Sequence, residues 1–159
     1  TFPVGFLGRF NYIIDAGKIF GTLPLPLLEL HKGNETYGYD DYAFNLMNYY
    51  EFVSDQYMSL ALIHHFDGFF FNKIPLFRRL KFREVISAKG VIGSLSSANK
   101  SFSALPSATS ELKTPYVEMG AGVENILKIF RIDGLWRLTY LDHPNITPFG
   151  IRVKIVFNF

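Results

Sequence analysis

The chain has 159 residues, of which 48% are hydrophobic, 17% aromatic and 19% charged, and its formal net charge is +2. An average soluble domain has about 25% charged residues, so this chain is unusually apolar. No apolar run approaches the ~18 residues that a membrane-spanning helix needs. The small net charge predicts no nucleic-acid partner, and the absence of Cys excludes disulfides and thiolate metal sites.

Hydrophobic alternation with a period of two predicts β-strands along the whole chain. Six segments alternate in this way, over residues 4–15, 49–66, 80–92, 117–124, 130–140 and 149–159. No segment has a helical repeat of useful length, and residues 76–80 are expected to form one helical turn at most. The connection over residues 94–114 is rich in Ser, Ala and Asn and predicts a long flexible loop.

Strand length and composition favour a membrane barrel over a soluble sheet. The predicted strands reach about a dozen residues, whereas soluble strands commonly have about 5–6 and tilted membrane strands need ~9–11. Charged residues stand at strand centres on one face, while Phe, Ile, Leu and Trp occupy the other. This pattern is typical of barrels with lipid outside and water inside. We therefore expect an all-β fold in which residues 1–159 form one segment, the C-terminal six antiparallel strands of a transmembrane outer-membrane β-barrel.

The end of the chain and the lengths of the connections give the expected orientation. Phe159, in phase with Phe157 and Ile155, occupies the position where outer-membrane barrels commonly carry a sorting signal. If the last strand ends in the periplasm, the long connections 21–48 and 94–114 both lie outside, as such barrels require. Six strands cannot close a barrel, because the smallest have about eight. The remaining strands are expected from sequence not included here or from other chains, and the start at Thr1 favours a piece of a longer protein.

The two faces of the predicted strands supply the candidate functional residues. One face is expected to contact lipid, at Phe6, Phe10, Leu60, Ile86, Val123, Trp136, Leu138, Val153 and Ile155. The other face is expected to point charges into the lumen, from Arg83, Lys89, Glu118, Glu124, Arg131, Arg137, Arg152 and Lys154. Arg83 and Lys89 either pair across strands with Glu118 and Glu124, or hydrate a water-filled interior. The sequence leaves these two alternatives open.

The connection over residues 21–48 differs from an ordinary mobile loop. It is rich in Leu, Tyr and Pro, and such side chains would expose a large apolar patch in water. We expect it to be ordered and to fold into or across the barrel mouth, with candidate contacts from Leu27, Asn34, Glu35, Tyr37 and Tyr39. A partner protein at the cell surface is the competing explanation.

Three stretches of sequence resemble a known family. Residues 39–48, 51–57 and 64–76 are similar to the C-terminal barrel of an outer-membrane family of Bacteroidota, whose full-length members join it to a carboxypeptidase-regulatory-like N-terminal domain. A more distant similarity is to the BamA-like superfamily of outer-membrane assembly factors, which implies a full barrel of about 16 strands. In that superfamily the inserted loop carries an Arg-Gly-Phe/Tyr motif. This motif is absent here, where residues 33–39 occupy the corresponding position. The resemblance therefore implies a location more than an activity.

No pattern in the chain indicates catalysis or a cofactor. There is no Ser/His/Asp set, nucleotide-binding glycine loop or paired-carboxylate motif, and the adjacent His64 and His65 should point to opposite faces of a strand. We expect a non-catalytic outer-membrane protein with a scaffold, transport or envelope-biogenesis role. Its expected partners are outer-membrane lipid, the remaining strands of its barrel and other outer-membrane proteins. The alternative is a soluble all-β ligand-binding domain.

Overall fold

The computed structural model of the chain describes residues 1–102 and 105–156. Its strands are β1 (Phe2–Pro3), β2 (Arg9–Lys18), β3 (Glu29–Leu30), β4 (Phe52–Ser54), β5 (Gln56–His65), β6 (Arg83–Ser94), β7 (Ser110–Glu111), β8 (Tyr116–Ile126), β9 (Phe130–Arg137) and β10 (Phe149–Ile155). Two short helices, α1 (Pro75–Leu80) and α2 (Ser97–Phe102), and three 3-10 turns lie in the connections.

The long strands form one antiparallel sheet with the order β1-β2-β5-β6-β8-β9-β10. Apart from the two-residue β1, these are the six predicted strands, and each pairs with its neighbour along the chain. The all-β class is therefore confirmed. At one end of the sheet, the turn end, residues 66–82 join β5 to β6 and residues 127–129 join β8 to β9. The other connections, over residues 19–55, 95–115 and 138–148, lie at the opposite end of the sheet, the loop end.

The sheet has one apolar face that is exposed and one charged face that is covered. Strand β9 shows the contrast: Ile132 and Trp136 are exposed, while Arg131 and Arg137 are buried. Residues 19–55 cover much of the charged face, and this segment is called the docked loop below. A soluble sheet normally buries its apolar face instead.

The hydrophobic core lies between the docked loop and the loop end of the sheet. Phe44, Met47 and Phe52 of the docked loop pack with Val91 and Tyr116 of the sheet. The small sheet β3-β4-β7 extends this core outward, with β4 pairing antiparallel to β3 and parallel to β7. The loop is therefore anchored by apolar packing at one end of the sheet.

The largest errors in the predicted strand boundaries are at the starts of the first two long strands. The first long strand begins at Arg9, because residues 5–7 form a 3-10 turn and Gly8 has a φ of 96°. A Cβ on Gly8 would lie 2.0 Å from the carbonyl oxygen of His65, so only glycine fits there. The second long strand begins at Gln56, because residues 52–54 belong to the small sheet.

The prediction of a flexible loop over residues 94–114 is also wrong where the structure describes it. This stretch contains α2 and β7, and the side chain of Asn99 ties α2 to the docked loop. The Asn99 amide oxygen accepts from the Leu23 N–H at 2.9 Å, and its nitrogen donates to Asp55 at 2.9 Å. No helix within residues 1–102 and 105–156 has the length and apolar composition needed to cross a membrane.

Candidate functional site

All eight charged residues selected from the sequence lie on the covered face of the sheet. Strand pairing sets Arg83 opposite Glu124, Lys89 opposite Glu118, Glu118 opposite Arg137, and Arg131 opposite Lys154. Five of the eight are buried and three, Arg83, Arg152 and Lys154, are half-buried. A buried charge is costly unless it is paired and hydrogen-bonded, so the partners of these groups are the central feature of the site.

Near the turn end the charges pair within the sheet and its connections. Arg83 lies opposite Glu124 but forms its ion pair with Asp67, at 3.1 Å. Glu124 instead hydrogen-bonds His65 at 2.9 Å. Cross-strand register alone therefore does not identify these partners, since a connection and a neighbouring strand offer closer groups.

On β9, Arg131 and Asp133 form a buried pair of side chains two residues apart. The Arg131 guanidinium donates two hydrogen bonds to the Asp133 carboxylate, at 2.7 and 2.8 Å. Both residues are almost fully buried. This bidentate geometry is the arrangement that best compensates the burial of two charges.

Toward the loop end, the charged side chains bind the main chain of the docked loop. The Glu118 carboxylate accepts from the N–H groups of Asn45 and Leu46, at 2.8 and 3.0 Å. It also accepts from the Tyr116 hydroxyl at 3.0 Å. One buried carboxylate thus satisfies two consecutive backbone donors that would otherwise be buried without partners.

Cations of the sheet bind carbonyl groups of the same stretch of loop. Lys89 donates to the carbonyl oxygens of Asp40 and Ala43, at 2.5 and 2.7 Å. Arg152 donates to the carbonyl of Asn45 at 2.8 Å, and Arg137 to that of Leu46 at 3.2 Å. Residues 40–46 are therefore held through their backbone by four charged side chains of the sheet, from β6, β8, β9 and β10.

A buried ion pair joins the docked loop to β9. Arg137 donates to both oxygens of Glu51, at 2.6 and 2.9 Å, and His143 hydrogen-bonds the same carboxylate at 3.1 Å. Burial by itself raises the pKa of Glu51, but the hydrogen bonds from Arg137 and the Asn48 N–H outweigh it and hold that pKa below its ordinary value. Glu51 is therefore the anionic anchor of the loop.

Tyr39 places an aromatic ring among three cations of the sheet. The centroid of its ring is 4.5 Å from the guanidinium carbon of Arg131, 4.8 Å from the Lys89 nitrogen and 6.0 Å from that of Lys154. These are cation–π distances. Burial raises the pKa of Tyr39 to about 12, so its hydroxyl remains neutral. Next to it, the backbone of Tyr37 and Tyr39 exchanges two hydrogen bonds of 2.9 Å with Val153 of β10.

The other loop residues selected from the sequence occupy different environments. Asn34 is buried and donates from its side chain to the side chain of Asn45 at 2.8 Å. Glu35 is exposed and accepts from the Tyr49 N–H at 2.9 Å. Leu27 and Tyr37 are exposed, at 61% and 86%. The structure thus brings Asn34 and Tyr39 to the charged face, and leaves the side chains of Leu27, Glu35 and Tyr37 outside it.

The predicted sorting signal is described only in part. Ile155, at the end of β10, is exposed on the apolar face. Phe157 and Phe159 lie outside the described residues.

A polar cavity separates part of the docked loop from β2 and β5. Its volume is about 280 Å³, and its lining includes Asp15, His31, Tyr57 and Lys89. His31 hydrogen-bonds Ser54 at 2.9 Å, and burial lowers its pKa to about 4 although the charge of Asp15 acts in the opposite direction. His31 is therefore neutral at pH 7.

Neither the cavity nor the rest of the described chain offers a metal centre. Among residues 1–102 and 105–156, no three His, Asp or Glu side chains converge closely enough to hold a metal ion. His64 contacts the carbonyl of Leu7 at 2.9 Å and the ring of Phe10, whereas His65 contacts Glu124 on the charged face.

Sequence reasoning missed three residues that complete the site. Asn45, fully buried, links Asp40, Ala43 and Asn34 within the loop, and no local pattern distinguishes it from an ordinary turn asparagine. Glu51 lay in a segment that was assigned to a strand. Strand alternation places Asp133 on the same face as Arg131, two residues away, but does not reveal that the two side chains pair.

Comparison with known proteins identifies the family. No curated protein matches the chain, and no solved structure does. A family model described as "Family of unknown function (DUF5686) C-terminal domain" matches residues 1–123 of the 159. This match includes β1 to β6, the docked loop and most of β8. The chain therefore belongs to the DUF5686 family, whose function is unknown, and carries its C-terminal domain.

Proposed function

We propose that this domain is the C-terminal part of a transmembrane β-barrel in the outer membrane of a Gram-negative bacterium, with the docked loop inside its lumen. The single observation that carries the proposal is the inverted sheet, whose apolar face is exposed and whose charged face is covered. Leu60, Ile86, Ile132 and Ile151 are 38–56% exposed, while Lys89 and Glu118 are no more than 4% exposed. Lipid outside and a polar interior account for both faces at once.

The edges of the sheet support additional strands. On the side of β2 away from β5, the short β1 pairs only with Arg9 and Phe10. β10 is the other edge, where the loop backbone at residues 37–39 pairs with Val153. Long unpaired edges promote aggregation, and a closed barrel removes them. The remaining strands of the barrel, which has about 16 in total if the distant resemblance to assembly factors holds, would pair with these two edges. At β10 a further strand would replace the two hydrogen bonds that Tyr37 and Tyr39 exchange with Val153.

The docked loop favours a closed lumen in the barrel that we propose. Charged side chains that would line an open aqueous pore are instead engaged by the loop, through Lys89, Glu118, Arg137 and Arg152. A scaffold or envelope-biogenesis role fits this arrangement, and a transport role requires that the loop move. Membership of the Bacteroidota outer-membrane family with a carboxypeptidase-regulatory-like N-terminal domain is part of the same proposal.

Spin labels on adjacent residues of β5 test the proposal. Single cysteines replace Leu60, on the exposed face, and Ser59, which is half-buried on the covered face, in the full natural chain reconstituted in lipid vesicles. A nitroxide at Leu60→Cys should be accessible to oxygen and shielded from a water-soluble nickel relaxant, and the Ser59→Cys label should show the opposite preference. Equal access of the nickel reagent to both labels, or a chain that stays soluble without detergent, would instead favour a soluble ligand-binding domain.

A further inference from the structure

A basic and aromatic segment projects from the turn end of the sheet. Residues 69–83, here called the basic segment, contain the 3-10 turn Phe71–Lys73 and helix α1. Their sequence includes five Lys or Arg residues and no Asp or Glu. The cations are Lys73, Arg78, Arg79, Lys81 and Arg83.

The apolar side chains of the basic segment are exposed. Phe70, Ile74, Leu76 and Leu80 are 46–61% exposed. Leu76 and Leu80 stand one helical turn apart and so share a face of α1. An exposed cluster of this kind marks a contact surface rather than an ordinary loop.

Four of the five cations are available to a partner. Lys73, Arg78, Arg79 and Lys81 are exposed, and in the described part of the chain none of them forms an ion pair within 4.0 Å. Lys73 lies over the rings of Phe69 and Phe70, at 4.8 and 5.8 Å from their centroids. Cations and apolar groups therefore lie side by side, as at the boundary between lipid headgroups and acyl chains.

The segment is continuous with the apolar face of the sheet. Phe66, at the end of β5, packs on His64 at a centroid distance of 4.4 Å, and Phe70 packs on Phe66 at 5.3 Å. Phe69 likewise packs on Phe6 at 5.8 Å. If the sheet crosses a bilayer, these rings place the basic segment at the level of the headgroups next to the turn end.

We infer that the basic segment is an interfacial anchor that binds the phosphate groups of anionic phospholipid in the leaflet at the turn end of the barrel. This inference rests on the proposed function, because the strands must first cross the membrane. Charge complementarity identifies the partner: four exposed cations, none with an ion pair in the described part of the chain and none separated by an acidic residue, match a phosphate-bearing surface. Outer-membrane barrels have their long loops outside and their turns in the periplasm, so the turn end would face the periplasmic leaflet of phospholipid.

A charge-removal variant with a matched control tests the anchor. The full natural chain is purified in detergent, and retention of phosphatidylglycerol and of phosphatidylcholine is compared by native mass spectrometry. The test variant carries Lys73→Gln, Arg78→Gln and Arg79→Gln. The control carries Lys18→Gln, Lys32→Gln and Lys113→Gln, three exposed lysines associated with the loop end.

The wild-type protein and the control variant should retain phosphatidylglycerol in preference to phosphatidylcholine. The test variant should lose up to about fivefold in that preference for each cation removed, at low salt, and added salt should weaken the wild-type preference. Inorganic phosphate should not compete at equal concentration, since it lacks the acyl chains that contact Leu76 and Leu80.

Each contrary outcome has a distinct meaning. A test variant that keeps the wild-type preference overturns the anchor while leaving the barrel intact. Competition by free phosphate would reassign the segment to a soluble anion. Failure of the wild-type chain to enter vesicles would overturn the proposed function itself. Circular dichroism of both variants checks that the strands still form.

Discussion

At the scale of single residues, charged side chains of the covered face bind the backbone of the docked loop. Glu118 accepts from two loop N–H groups, and Lys89 donates to two loop carbonyls. Side-chain anchors are fewer, chiefly Glu51 with Arg137 and Tyr39 above its cations. A loop without regular structure can be buried only if its backbone groups find partners, and the alternating charges of the strands supply them.

Replacing Glu118 by Gln should loosen the loop locally. The neutral amide offers one acceptor oxygen, where the carboxylate binds the N–H groups of Asn45 and Leu46 separately. Loss of a hydrogen bond to a charged group costs about 1.5–3 kcal/mol, so exchange of these two amides with deuterium should speed up by roughly tenfold or more. Glu111→Gln is the control, since Glu111 pairs with Lys100 in the 95–115 connection. Unchanged exchange at Asn45 and Leu46 would contradict the anchoring role of Glu118.

Acidification should release the loop around His31. The pKa of His31 is lowered by burial to about 4, so the docked state binds a proton less readily than a free imidazole with pKa 6.5. Docking is therefore at full strength above pH 6.5, and weakens as the pH falls from 6.5 toward 4.

The His31 amide donates to the carbonyl of Phe52, and its exchange reports the docked state. After correction for the intrinsic rate, its opening constant should rise by up to about tenfold per pH unit within that window. His31→Gln should abolish this dependence. The amides that depend on the Glu51 carboxylate should exchange faster only at lower pH, because the pKa of Glu51 lies below its ordinary value. A pH profile that is the same in both proteins would show that His31 does not control docking.

At the scale of elements, alternation predicted the six long strands because each has one face exposed and one covered. The rule fails where both faces are buried, as in β4, whose three residues are all covered by the small sheet and its core. It also fails for α2 and β7, whose Ser-rich composition resembles a flexible linker. Their order comes from tertiary contacts of Asn99, which no local pattern reveals.

For the candidate site, the sequence predicted the charged residues of the covered face but not their partners. Parity along the strands selected the charges of the covered face, because side chains two residues apart point the same way. Their partners were not predictable, since Asn45 and Glu51 reach Glu118 and Arg137 across 73 and 86 residues of sequence. Contacts at such separations depend on the path of the loop, and hydrophobic periodicity carries no information about that path.

The path of the docked loop depends on close backbone contact at Gly33. A Cβ built there would lie 2.3 Å from the Asn48 carbonyl oxygen and 2.5 Å from that of Met47, and backbone cannot yield as a side chain can. Gly33→Ala should therefore push residues 33–34 away from residues 47–48 and expose the backbone N–H of Asn34, which donates to the Met47 carbonyl at 3.0 Å. Gly38→Ala is the control, because its Cβ would meet only Thr36 Oγ1, at 3.6 Å. Equal protection of the Asn34 amide in both variants would mean that the loop has room to adjust.

At the scale of the whole molecule, apolar surface is buried at the loop end of the sheet and exposed along its outer face. The core at the loop end buries Met47, Phe52 and Tyr116 completely, as in a protein surrounded by water. The outer face of the same sheet exposes Trp136 and Ile151 by about half, at 45% and 56%. In the barrel that we propose, the loop end would meet water and the outer face of the strands would meet lipid.

Lysine substitutions at two exposed leucines test whether the outer face of the strands meets lipid, through their different costs in folding free energy. Leu60 lies in the middle of β5 with 38% exposure, and Leu76 lies on α1 with 61% exposure. In water, Lys at the more exposed Leu76 and at Leu60 would both be tolerated. In a bilayer, Leu60→Lys should cost about 2–4 kcal/mol of folding free energy, because the charge lies near the midplane, whereas Leu76→Lys should cost about 0–1 kcal/mol at the interface. Urea titration of the full natural chain in vesicles measures both values, and a Leu60→Lys variant as stable as Leu76→Lys would place the exposed face of the sheet in water or against protein.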